Sequence, residues 1–411
     1  MSDQAVVSLG NFLLAITLAR SLNKVEYGTY IVIFGALLVA NALHAALVVY
    51  PLSVLGAHRS ASELKRLAAS SMLITLCMGV PVSGVLIATA WLFTKRTDLF
   101  VFVVAAMFAW QIQETLRRSL MSHLRHRAAI FGDTVTYIGQ VTFVYATAHY
   151  HVVLTSRIGF EAIIVGSAAG ALVHGIVLGV RLPEFSRLLD LLKQYFQLGR
   201  YPLLSNLGFS GTVLLFPWVL ASRGLAEVAN YQTMMNVIQV VNPIMFSVGN
   251  LVIPGVAHEL LKPNGEARAK RITFRYMLEG LALLALPFLA LLLAPHFVMA
   301  SLYGHTSGYT EHDTVLRVLV IGAFAMYLSH VLHCYFLGKQ RVGIVLRTQF
   351  IASAAAAICA FALIPLMGLS GAALSYITLG AGRTWLLVVA LRVDSQKHEV
   401  PEECAVSVEK A

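Results

Sequence analysis

Charge is what this sequence has least of. Only 12% of its 411 residues are Asp, Glu, Lys or Arg, about half the share in an ordinary soluble domain. With 58% hydrophobic residues, too little polar surface remains to cover a water-soluble globule. A soluble enzyme and a disordered chain are both excluded. Cysteine is also scarce. Cys77, Cys334, Cys359 and Cys404 have no metal-ligand spacing, and three of them lie in apolar segments, so they frame neither a zinc site nor a disulfide scaffold. The chain lacks a G-x-x-x-x-G-K-[ST] loop, which argues against a nucleotide-driven pump. The first apolar stretch has no basic n-region and no clear cleavage site, so it does not read as a cleavable signal peptide. Acids are outnumbered by bases, 20 to 30, for a net charge of +10. The bases form no single patch, however, and nucleic acid is not an expected partner.

What is abundant is long apolar runs. A helix needs about 20 apolar residues to cross the hydrocarbon core, and twelve such runs fit the length. They lie at about 5–22, 28–50, 67–93, 98–120, 129–150, 159–180, 201–220, 228–253, 273–294, 314–337, 347–366 and 370–391. Pro81, Pro243 and Pro287 fall inside spans, where proline marks a kink. Twenty-two of the 30 Lys and Arg residues fall in alternate loops if the N-terminus is inside, six in the opposite loops and two within spans. The positive-inside rule then places both termini in the cytoplasm. The basic balance is thus a mark of topology.

The fold class expected is all-α, a polytopic membrane protein with about twelve transmembrane helices in two six-helix lobes. Residues 1–181 form the N-terminal lobe and 201–392 the C-terminal lobe. Between them, at 182–200, Leu188, Leu189, Leu191, Leu192, Tyr195 and Phe196 interleave with Arg187, Asp190, Lys193 and Gln194, a pattern for an amphipathic helix on the inner membrane surface. Residues 393–411 read as a disordered cytoplasmic tail. Sliding the sequence by 203 positions matches Arg20 to Arg223, Leu22 to Leu225, Val25 to Val228 and Pro51 to Pro254. Six spans per half keep both halves in one orientation, so the lobes would be related by a pseudo-two-fold axis along the membrane normal, with a site between them.

The N-terminal stretch Q-A-V-V-S-L-G-N-F-L-L-A-I-T-L-A-R-S-L (Gln4–Leu22), then V-E-Y-G-T-Y (Val25–Tyr30) and L-H-A-A-L-V-V-Y-P-L (Leu43–Leu52), resembles the opening of Wzx-type polysaccharide (O-antigen) flippases. These belong to the multidrug/oligosaccharidyl-lipid/polysaccharide (MOP) exporter superfamily. The resemblance covers about 50 residues, and the 6+6 division and inside termini agree with it. It implies a MATE-like fold and a bacterial inner-membrane transporter without ATPase domains. Such a protein flips an undecaprenyl-diphosphate-linked oligosaccharide to the outer leaflet by alternating access, for cell-surface polysaccharide and lipopolysaccharide. Polysaccharide polymerase, chain-length machinery and membrane lipids are its implied partners. The family usually carries more residues ahead of this first helix.

A lipid diphosphate needs cations, and arginine binds phosphate oxygens bidentately. Arg20 and its repeat partner Arg223, each ending the first span of its half, are candidates; snorkelling to head groups is the bland alternative. Arg383 lies about 13 residues into the last span, roughly 20 Å from the outer end. A lipid-facing arginine there costs about 2.5–3.5 kcal/mol, so Arg383 is expected to face a cavity or a partner. Asp133, Glu279 and Glu161 are candidate acids for coupling to H⁺ or Na⁺, the only ion requirement foreseen; ion pairing with nearby arginines is the alternative. Glu114 stands three and four residues before Arg117 and Arg118, a helical pairing. Asn11, Gln140, Asn206 and Asn236 are candidate cavity amides for sugar hydroxyls, against simple interhelical bonding. His330 and His333 share a helical face without a third metal ligand, so no metal site is expected.

Two rivals remain. A MATE-type ion-coupled exporter of small cations would need an acid-rich cavity. A membrane polysaccharide polymerase or ligase, an enzyme, would need a large outer loop, and the longest here is about 295–313.

Overall fold

A chain crossing hydrocarbon must satisfy its backbone hydrogen bonds internally, and long apolar runs therefore become helices. The computed structural model describes residues 2–150, 153–183, 185–239 and 241–399, with the side chains of 2–5, 186, 204–207, 209–210 and 395–399 outside the description. Every regular element among these residues is helical: α1 (Ser2–Ser21), α2 (Lys24–His44), a π-helical turn (Ala45–Val49), α3 (Tyr50–Ala57), α4 (Ala61–Thr94), α5 (Phe100–Ser122), α6 (His126–Tyr150), α7 (Arg157–Leu178), α8 (Leu188–Leu220), α9 (Leu225–Ile238), α10 (Val241–Glu259), α11 (Gly265–Leu293), α12 (Pro295–Tyr303), α13 (Asp313–Gly338), α14 (Val342–Met367) and α15 (Leu369–Glu399), with short 3₁₀ turns between some of them.

A helix lies at each of the twelve predicted spans. Eight are long and apolar enough to cross a membrane by length and composition, and α9 with α10 adds a ninth as an interrupted span. The other three positions are α1, whose apolar part Val6–Ser21 is short, the polar α6, and α8. The protein is a multi-pass all-α membrane protein.

Local sequence sets the ends. Ser60 accepts from the Glu63 backbone N–H while the Glu63 carboxylate accepts from the Ser60 N–H, a capping box that opens α4. Asn23 caps α2 through the Glu26 N–H. Proline does not act uniformly. Pro81 and Pro287 lie within α4 and α11, whereas Pro243 stands in the first turn of α10. There its missing N–H had no partner to lose, and the span bends by 45° at the break between α9 and α10, just ahead of it.

The second span is not one regular helix. Pro51 has no N–H to offer the Leu47 carbonyl. The ladder widens just before it, with the Tyr50 N–H bonding to the Ala45 carbonyl, the five-residue step of a π turn. α8 crosses this turn at Gly199, where a Cβ would stand 2.5 Å from the Ala46 carbonyl oxygen.

The chain divides by contact into two units. The first comprises Met1–Val237, His296–Glu311 and Ile364–Ala372, the second Ile238–Pro295, His312–Leu363 and Ala373–Ala411. Neither coincides with a sequence half, because α8 and α9 pack on the second span. The Trp218 Nε1 donates to the Val32 carbonyl at 3.0 Å. Tyr195 is buried against Val48, Leu52 and Ile74, and its hydroxyl bonds to Ser71 Oγ at 2.7 Å. The segment expected as a separate amphipathic helix at 182–200 is, from Leu188 on, the opening turns of α8. Its inward stripe, Leu188, Leu191 and Tyr195, meets protein, while Leu189, Leu192 and Phe196 are exposed. At the other end, α15 runs to Glu399 rather than stopping near 392; the rest of the expected tail, 400–411 with Cys404, lies outside the described residues. In the second unit α10, α11 and α13 pack mutually.

Candidate functional site

The motif V-E-Y-G-T-Y carries the resemblance, and its Glu26, Tyr27 and Tyr30 each meet a distant segment of the first unit. Glu26 accepts from the Ser156 N–H at 2.6 Å and from Arg96 at 2.8 Å. Arg96 also binds Asp98, and these two carboxylates, Asp98 foremost, hold its guanidinium above the ordinary arginine range. The Tyr27 hydroxyl accepts from Asn236 Nδ2 at 3.0 Å. Tyr30 stacks on Phe34 and tilts against Phe160, with ring centroids 5.3 and 5.2 Å apart. The motif is a packing node joining α2 to α7, to α9 and to the loop after α4. It also ties down Asn236, the amide foreseen for sugar, whose Oδ1 accepts from Gln232 as well. None of these long-range partners follows a local spacing, and sequence reading missed Glu26 and Arg96.

The embedded acids are neutralised. Asp133, with no exposed surface, accepts from Arg117 Nε at 2.6 Å and from Gln113 at 3.1 Å. Glu114 binds Arg117 at 3.0 Å and Arg118 at 2.6 Å, as its spacing predicted. Glu161 pairs with Arg157, and the exposed Glu279 with Arg275, each at 2.7 Å and four residues apart. For all three candidate coupling acids the structure realises the pairing alternative.

The cations divide differently. Arg20 is exposed at the end of α1. Arg223 is exposed and donates to the Pro365 carbonyl at 3.2 Å, near the C-terminal end of α14, where a cation meets unpaired carbonyls. Arg383 is buried on α15, 4% exposed. Its Nη2 donates to His333 Nδ1 on α13, and its Nε has no hydrogen-bond partner. His333 stacks on His330 with centroids 6.1 Å apart, and His330 Nε2 lies 3.5 Å from Cys334 Sγ. None of these three arginines is in an ion pair among the described residues. Nor does any group of three or more His, Cys, Asp or Glu among them have the arrangement to hold a metal.

Two of the four candidate amides do come together. Asn11 and Gln140 line one cavity of the first unit with Phe34, Trp110, Thr136 and Tyr137. Its volume of about 10 Å³ is that of one water probe. The ring of Trp110 stacks on Phe34, centroids 5.9 Å apart. The Asn206 side chain lies outside the described residues.

No protein-family model matches the chain, and no curated protein matches its sequence. Solved structures do match in fold. An inward-facing multidrug resistance MATE transporter of the MOP superfamily is 15% identical, with 96% of each chain covered and a TM-score of 0.69. The lipid II flippase MurJ, in an inward closed conformation, is 11% identical over 95% of this chain and 86% of its own, with a TM-score of 0.76. A MOP superfamily transporter from Pyrococcus furiosus, described as having a binding pocket of reverse polarity, is 14% identical over 97% and 94%, with a TM-score of 0.61. The overall fold is therefore like that of MOP superfamily transporters of known structure, MATE exporters and MurJ among them.

Proposed function

We propose that the protein is a transporter that flips an undecaprenyl-diphosphate-linked oligosaccharide from the inner to the outer leaflet of a bacterial inner membrane, by alternating access. One observation carries this reading. Every candidate coupling acid is tied to an arginine at short range, whereas Arg20, Arg223 and Arg383 are in no ion pair among the described residues. Of the candidate charges, those left to act on a substrate are cationic, and they suit a diphosphate. A MATE-type exporter of cationic compounds needs the opposite, a carboxylate free of a partner. The fold likeness to MurJ, named a lipid II flippase, supports a lipid-linked substrate, and the polymerase and chain-length machinery of polysaccharide assembly are the proposed neighbours.

The test is chemical. Cells lacking the protein should accumulate the lipid-linked repeat unit on the inner leaflet and lose surface polysaccharide. Unchanged lipid intermediates, with altered sensitivity to cationic compounds, would instead establish the exporter. The topology has its own check. In intact spheroplasts a C-terminal tag should resist external protease, as both termini are proposed to be cytoplasmic; cleavage of the tag would refute the orientation.

A further inference from the structure

The buried cluster of the second unit has a logic that a structural ion pair lacks. A guanidinium is a donor only and stays charged. Since Arg383 Nη2 donates to His333 Nδ1, that nitrogen must carry its lone pair, and the single ring proton of His333 sits on Nε2. The contact exists only while His333 is neutral. The groups facing it are few. α13 supplies His330 and Cys334 beside His333. α10 faces His330 with backbone at Met245 and Gly249. α11 meets α13 through the Tyr327 hydroxyl, which donates to the Met277 carbonyl. Of the acids of α15, Asp394 is engaged with Lys339, and the Glu399 side chain lies outside the described residues. No carboxylate pairs with the cluster among the described residues.

We propose that His333 is the proton-binding site of the transporter, and that its protonation releases Arg383 to an anionic ligand. A proton arriving from water bonds to Nδ1. The hydrogen bond from Nη2 breaks, both ring nitrogens become donors, and imidazolium and guanidinium are then like charges in contact. The arginine must move to an acceptor, and its Nε already lacks one. A diphosphate supplies such acceptors. Loss of the proton restores the Nδ1 lone pair and draws the guanidinium back, which frees the anion. Proton binding and anion binding thereby favour the same state, the reciprocity that any coupling requires. Delivery of the arginine to a diphosphate rests on the substrate reading above; proton binding at His333 does not.

The experiment therefore needs no substrate. Hydrogen–deuterium exchange of α13 and α15 is measured on the purified full-length protein in detergent at pH 8 and pH 3.5, corrected for the intrinsic pH dependence of exchange. Wild type should exchange several-fold faster at pH 3.5 around His333 and Arg383. His333→Gln, whose amide oxygen still accepts from Arg383 but does not titrate in this range, should show no difference between the two pH values. Arg383→Met, with no tie to release, should also show none. His330→Gln should respond like wild type. A pH response that persists in His333→Gln or Arg383→Met, one that is lost only in His330→Gln, or none in wild type, would overturn the proposal. Accumulation of lipid intermediates is read separately, so the substrate reading stands or falls without this result.

Discussion

Arg117→Met is expected to cost about 3–5 kcal/mol of stability, the loss that follows when one partner of a buried ion pair is removed. Arg117 is 5% exposed and joins two carboxylates, Glu114 on its own helix and the fully buried Asp133 on α6. The variant leaves the charged Asp133 without the Arg117 guanidinium, or forces it to take up a proton. Either outcome loosens α5 from α6. Thermal melting of the detergent-solubilised protein, followed by size-exclusion chromatography after heating, measures the loss. The double variant Arg117→Met/Asp133→Asn should recover most of it, because the stranded charge is gone and Glu114 keeps Arg118 at 2.6 Å. If the double variant melts no higher than the single one, the stranded charge is not the cause.

Gly28→Ala is the second large effect. Gly28 stands in the middle of V-E-Y-G-T-Y, and a Cβ there would lie 1.8 Å from the Leu225 carbonyl oxygen and 2.6 Å from its carbon. These are backbone atoms at the first residue of α9, so no side-chain rotation relieves the clash. Overpacking of this kind costs about 3 kcal/mol or more, with α2 and α9 driven apart. Gly84→Ala in α4 is the control of opposite sign. Nothing lies within 4 Å of its Cβ position, and alanine gains up to about 1 kcal/mol of helix propensity over glycine. Melting temperatures that fell equally in both variants would refute the close-approach argument.

Both effects lie where sequence legibility ends. The twelve spans are readable because apolar length is a local property, and α6 is readable as the polar exception. Pairings at three or four residues, such as Glu114 with Arg117 and Arg118, follow from helical geometry. The bond from Arg117 to Asp133 does not, since it depends on which helix lies beside which. The same holds for Glu26 with Ser156 and for Tyr27 with Asn236, separated by 130 and 209 residues. The motif stands out as a pattern, but its role as a packing node depends on those partners. For the same reason α8 joins the first unit: the hydropathy of Leu188–Leu198 marks an amphipathic stretch without saying that Tyr195, rather than lipid, fills the space beside Leu52.

The site is legible in part. Residue type and depth single out Arg383, and helical spacing places His330 and His333 on one face. Their meeting across α13 and α15 emerges only in three dimensions, and it turns two separate observations into one cluster. The tyrosine partner of Asn236 is not legible from sequence, because an amide looks the same whether it faces a ligand or a tyrosine hydroxyl.

The π turn at Ala45–Val49 also fixes the phase of the second span. It absorbs one residue more than an α-helix would, and so keeps the two ends of the span pointing as they do. If it tightened to α geometry with every residue retained, everything beyond it would rotate by about 100°. Leu52 would then leave its place beside Val48, Ile74 and Tyr195. Removing one residue within the turn would leave both ends in phase, whereas removing one within Lys24–His44 would not. The span thus has a single place where its length can change without changing which way it faces.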